Sequence, residues 1–139
     1  MRVQRKALIK SPALLLVALI VSCAAPSSQS PETHLLISFK PDGANIASEY
    51  ILDCSGDLVL DTSTLPADAD VCSQLNEQAA AFTASLNPAT PCTEIYGGPQ
   101  RVQITGTFKR QPLDSEFSRT NGCLINQWER VSFLLDSGF

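Results

Sequence analysis

The sequence predicts an α+β fold: an antiparallel sheet of about five strands with one main helix packed on one face, stapled by two disulfides. Three observations carry this expectation. Short stretches of alternating apolar and polar residues lie on both sides of the middle of the chain, separated by turn residues. A single stretch, near residues 70 to 87, repeats its apolar residues at helical spacing. Four cysteines, Cys54, Cys72, Cys92 and Cys123, follow a leader of export type, and an even cysteine set delivered into an oxidising space forms bridges.

The elements follow in order. Leu35, Ile37 and Phe39 alternate with Leu36, Ser38 and Lys40 and predict a strand, and Pro41-Asp42-Gly43 supplies the fixed φ and the glycine of a turn. Tyr50, Leu52 and Cys54 alternate with Ile51 and Asp53 as a second strand, broken by Ser55-Gly56. Beyond Pro66, Cys72, Leu75, Ala79, Phe82 and Leu86 recur three or four residues apart, which predicts a helix with Asp70 as N-cap and Asn87-Pro88 as its end. This stripe reads as core packing, not as a cofactor face. Val102, Ile104, Gly106 and Phe108 alternate with polar residues, and extended segments are expected at Glu116 to Arg119 and Val131 to Leu135, with Gln111-Pro112-Leu113-Asp114 as a turn.

The N-terminus reads as a secretion signal. Arg2, Arg5, Lys6 and Lys10 precede the apolar run Ala13 to Val21, which is about half the roughly 20 residues a membrane-spanning helix needs. Ile20-Val21-Ser22-Cys23 resembles the bacterial lipobox, in which the cysteine is lipidated and becomes the new N-terminus. This reading accounts for the odd fifth cysteine. It gives a lipoprotein-type signal peptide over residues 1–22, a Pro- and Ser-containing flexible tether over 23–33, and a domain over 34–139. The expected location is extracytoplasmic, anchored to the bacterial cell membrane by lipidated Cys23 or secreted.

Composition excludes several classes. All 14 acidic residues lie beyond the leader, while four of the 10 basic ones lie within it, so the exported part is strongly acidic and no nucleic-acid partner is expected. His34 is the only histidine and reads as a solvated strand-end residue, not as a general base. With the cysteines in bridges, no zinc site and no thiol nucleophile is expected, and neither catalytic activity nor a cofactor. The acid pairs Asp68 with Asp70 and Asp114 with Glu116 read as surface or capping residues, and Trp128 as a core residue or a C-terminal contact, not a ligand platform.

Three stretches resemble the Streptomyces subtilisin inhibitor family of secreted bacterial protease inhibitors. Pro66, Cys72 and Leu75 match the family's proline and cysteine at the helix start. Cys92-Thr93-Glu94-Ile95-Tyr96 resembles its reactive loop, in which a cysteine is followed by two variable residues, a branched apolar residue and a tyrosine. Asn121-Gly122-Cys123 resembles the Asn-x-Cys that closes the second bridge, and Gly106 with Phe108 the glycine and aromatic of the intervening strand. The resemblance implies Cys54 bonded to Cys72 and Cys92 to Cys123, one of three connectivities open to four cysteines.

It further implies a serine protease inhibitor working through a substrate-like loop, Pro91, Cys92, Thr93, Glu94, Ile95 and Tyr96, with Glu94-Ile95 as the scissile-like bond and Asn121 in support. The implied partner is a subtilisin-type or glutamate-preferring serine protease, and the resemblance extends to a homodimer. Thr93 stands where the family has proline and Gly97-Gly98 where it has Asp-Pro, which predicts a looser loop. A reading from another class is a non-inhibitory surface lipoprotein, a binding or structural module on the same scaffold.

Overall fold

A computed structural model describes residues 30–83, 86–87 and 89–135. The signal segment, Cys23 and the tether as far as Gln29 lie outside the described residues.

Five strands form one antiparallel sheet: β1 (Thr33–Lys40), β2 (Ser48–Ser55), β3 (Leu58–Val59), β4 (Arg101–Phe108) and β5 (Gln111–Ser118), in the order β3-β2-β1-β4-β5. Thr33, placed in the tether by sequence, opens β1. Its residue pairs with Cys54, and the neighbouring Glu32 donates its N–H to Cys54 C=O at 2.9 Å. The alternation puts Leu35, Ile37, Leu52, Val102, Ile104 and Phe117 on one face, all buried.

The opposite face of the sheet is mostly polar, with Leu36 and Ile51 partly buried on it. Ser38 donates to Glu49 at 2.8 Å, Arg101 pairs with Glu116, and Gln103 donates to Asp114. Gly106 sits in the middle of β4 at φ +132°, and a Cβ there would lie 2.1 Å from the His34 carbonyl oxygen of β1. Glycine alone permits that close strand approach.

Among the described residues, four short helices cover the apolar face instead of one main helix: α1 (Val71–Glu77), α2 (Ala79–Thr83), α3 (Gly122–Arg130) and α4 (Ser132–Leu135). The predicted helix is divided at Gln78, whose φ of −91° and ψ of 15° leave the helical region. Its stripe survives the break. Cys72, Leu75 and Phe82 are buried, whereas Leu86 lies beyond α2 and is exposed. Asp70 occupies the N-cap position, but its carboxylate accepts from Gln74 Nε2 at 2.9 Å and caps no backbone N–H. Phe82 gathers Phe108, Phe117 and Phe133 at centroid distances of 6.3, 5.9 and 6.4 Å, joining α2, the sheet and α4.

Two further sequence expectations are corrected. Val131 to Leu135 is not extended: Val131 caps α3 and Ser132–Leu135 forms α4, which buries Leu134 and Leu135. Two adjacent buried leucines suit a helix turn facing a core as well as a strand, and the run is too short for its period to decide. Gln111-Pro112-Leu113-Asp114 is not a turn but the first half of β5, with Pro112 paired to Thr107 on the sheet's outermost strand. An edge strand tolerates the missing N–H. The turn itself is Lys109-Arg110, both at positive φ (48° and 64°), as a two-residue hairpin demands.

Both disulfides form. Cys54–Cys72 ties β2 to the first turn of α1, and Cys92–Cys123 spans 31 residues of sequence, with Cα separations of 5.9 and 5.4 Å. Closing loops of these lengths removes on the order of 3 to 4 kcal/mol each of unfolded-chain entropy. The bridges belong to an oxidising, extracytoplasmic environment. Among the described residues no helix is long and apolar enough to cross a membrane.

Candidate functional site

Pro91, Cys92, Thr93, Glu94, Ile95 and Tyr96 are all exposed, with Ile95 at 62% and Tyr96 at 63% of full accessibility. Exposed apolar side chains of this size, side by side on a loop, are the kind of surface that proteins use for contact. Three ties hold the loop to the segment joining β5 to α3. Gly97 N–H donates to Arg119 C=O at 2.7 Å, Gly122 N–H donates to Thr93 C=O at 3.0 Å, and Cys92 is bonded to Cys123. The loop and its support therefore run antiparallel.

Between the outer ties the loop advances five residues, Cys92 to Gly97, while the support advances four, Arg119 to Cys123. The extra residue falls on the loop side, as in a bulge, and the backbone between Thr93 and Gly97 is left unpaired. Among the described residues, Glu94, Ile95 and Tyr96 make no intramolecular hydrogen bond. Free N–H and C=O groups on a segment held at both ends can pair with the edge of another chain.

The support is built from local sequence. Asn121 is the N-cap of α3, its Oδ1 accepting from Leu124 N–H at 3.0 Å, which fixes the direction in which Gly122 and Cys123 leave the sheet. Arg119 contributes more than its carbonyl. Its guanidinium lies 5.9 Å from the centre of the Trp128 ring, so α3 also holds the residue that holds Gly97. Sequence reading missed Arg119 and missed α3 itself. The signal was present in Asn121 followed by Leu124, Ile125, Trp128 and Val131 at helical spacing.

Thr93 and the glycine pair, expected to loosen the loop, are engaged in its packing. A Cβ on Gly122 would lie 2.1 Å from Thr93 Oγ1, and one on Gly97 would come within 3.1 Å of Ile125 and 3.3 Å of the Arg119 Cβ. Gly98 has φ +134°, a conformation closed to other residues. The pair lets the chain pass close over α3 and turn into β4.

His34, expected as a solvated strand-end residue, is half-exposed and partnered. Its Nδ1 lies 2.5 Å from Asp53 Oδ1, and buried Asp53 also accepts from Thr62 Oγ1 at 2.6 Å. This cluster pins the 60–65 segment to β2 and lies at the end of the sheet away from the loop. Asp114 and Glu116 are each engaged across the polar sheet face, and Trp128 packs against the core. Among the described residues there is no group of three metal-ligating side chains. Compared with known protein families and with curated proteins, the chain matches none.

Proposed function

We propose that this protein inhibits a serine protease by offering residues 91–96 as a substrate-like loop, with Glu94 at the primary specificity position and Glu94-Ile95 at the scissile-like bond. One observation carries the reading: an exposed segment with an unpaired backbone is gripped on both sides by the bridge and two hydrogen bonds to residues 119–123. A flexible peptide loses conformational freedom when it enters a protease cleft, and its halves depart after cleavage. A loop held in this way has lost that freedom beforehand. Cutting after Glu94 would leave the new ends tied through Cys92 and Gly97, poised to be rejoined.

The resemblance of Cys92-Thr93-Glu94-Ile95-Tyr96 and Asn121-Gly122-Cys123 to the Streptomyces subtilisin inhibitor family supports the same reading, and extends it to a homodimer. The sequence of residues 20–23 supports lipid anchoring at Cys23. Glu94 selects the enzyme. An apolar specificity pocket would desolvate its carboxylate without compensation, so the target is an enzyme whose pocket supplies cationic or hydrogen-bonding groups, a glutamate-preferring serine protease.

The test is a panel of serine proteases, including a glutamate-preferring and a subtilisin-type enzyme, titrated with the refolded domain. Stoichiometric, saturable loss of activity is expected with the former, and Glu94→Met should move the preference to the latter. Indifference of every enzyme, or digestion of the domain, would leave the non-inhibitory surface module as the function.

A further inference from the structure

Ile46 is 54% exposed in the loop joining β1 to β2, a large apolar side chain left in solvent as Ile95 and Tyr96 are. The pairing of Lys40 with Arg101 brings this loop out at the same end of the sheet as the residues that follow the reactive loop. The two stretches touch. A Cβ on Gly43 would lie 2.6 Å from the Pro99 carbonyl oxygen, and Gly43 has φ +79°, so a glycine lets the hairpin lie directly against the exit of the 91–97 segment.

The hairpin is also rigid. Asp42 Oδ1 accepts from Ala44 N–H at 2.9 Å and from Asn45 N–H at 2.7 Å, while Oδ2 accepts from Asn45 Nδ2 at 2.6 Å. Ala47 N–H donates to Phe39 C=O at 2.9 Å, closing the loop on the other side of Ile46. A side chain presented on a loop that is already ordered costs little further entropy on association.

Interface size calls for such a neighbour. Protease–inhibitor interfaces bury about 800 Å² and about 20 to 30 residues on each side, and a six-residue loop falls well short of that. We infer that the Asp42–Ala47 hairpin forms a second contact for the same protease, with Ile46 set against an apolar patch on the rim of the enzyme's cleft. This rests on the inhibitory reading above and adds to it a surface outside the reactive loop.

The experiment compares wild type, Ile46→Asp, Ile46→Ala and Leu58→Asp against the enzyme of the panel that wild type inhibits most tightly, recording dissociation rates and thermal midpoints. Leu58 is as exposed as Ile46 but lies at the other end of the sheet. Ile46→Asp should weaken inhibition by about tenfold through faster dissociation, and Ile46→Ala by a few-fold, with midpoints and Leu58→Asp unchanged. Ile46 variants equal to wild type would overturn the second contact while leaving the inhibitory loop standing, and equal weakening by Leu58→Asp would reduce the effect to added charge and overturn it as well. A wild type that inhibits no enzyme would overturn both readings.

Discussion

Asp42 carries a carboxyl whose pKa is lowered from 3.8 to about 2, first by the side-chain hydrogen bond from Asn45 and then by the backbone N–H groups of Asn45 and Ala44. All three bonds favour the charged form. The sign follows: the contribution of this cap is fully present above the ordinary carboxyl pKa of 3.8 and is lost as pH falls through about 2. The amide resonances of Ala44 and Asn45 should therefore titrate with a midpoint near 2, and Asp42→Asn should remove that titration from the hairpin. A midpoint near 4 would mean that the carboxylate is free. Other single residues are decided by what lies across from them. Gly106 is required by a carbonyl on the neighbouring strand, and Gly43 by Pro99, and neither approach is visible in the local sequence.

At the scale of elements, the 91–97 segment depends on α3 and on the bridge that joins them. Asn121 starts the helix, Arg119 and Gly122 supply the backbone bonds, and Cys123 supplies the covalent tie. Replacing both Cys92 and Cys123 by serine should leave the sheet and the Cys54–Cys72 bridge in place, because neither bridging cysteine is among the buried core residues. On the proposed inhibitory function, the variant should be hydrolysed at Glu94-Ile95 by the target enzyme, with stability lowered by about 4 kcal/mol on chain-entropy grounds. Mass spectrometry of the digest and chemical denaturation check the two halves of this expectation. A variant that resists cleavage as the wild type does would assign the rigidity to the hydrogen bonds alone.

The whole molecule has two distinct ends. The chain joins the sheet at Glu32, whose C=O accepts from Arg110 N–H at 2.8 Å and whose carboxylate lies 2.6 Å from the Arg110 guanidinium, beside the β4–β5 turn. The 91–97 segment and the β1–β2 hairpin lie at the other end of β4, an eight-residue strand that spans about 25 Å. An anchor upstream of Glu32, as proposed at Cys23, would therefore hold the domain from the end opposite the proposed contact surface. On the proposed inhibitory function, coupling the domain to beads or vesicles through its N-terminus should leave the inhibition constant within about twofold of the free domain, whereas coupling through residue 46 should weaken inhibition by about tenfold or more. Equal losses from both attachments would contradict this polarity.

The sequence by itself determined the α+β class, the strands at Leu35–Phe39, Tyr50–Cys54 and Val102–Phe108, and the apolar stripe from Cys72 to Phe82. Alternation and helical spacing are local consequences of which face is buried, so they are written along the chain. Tertiary structure decided the break at Gln78, the turn at Lys109-Arg110 in place of Gln111 to Asp114, and the helical form of Val131 to Leu135. It also decided that Arg119 holds Gly97 and that Gly43 lies against Pro99. Those outcomes depend on contacts between residues far apart in sequence, where packing against a neighbour outweighs the preference of a few residues for one conformation.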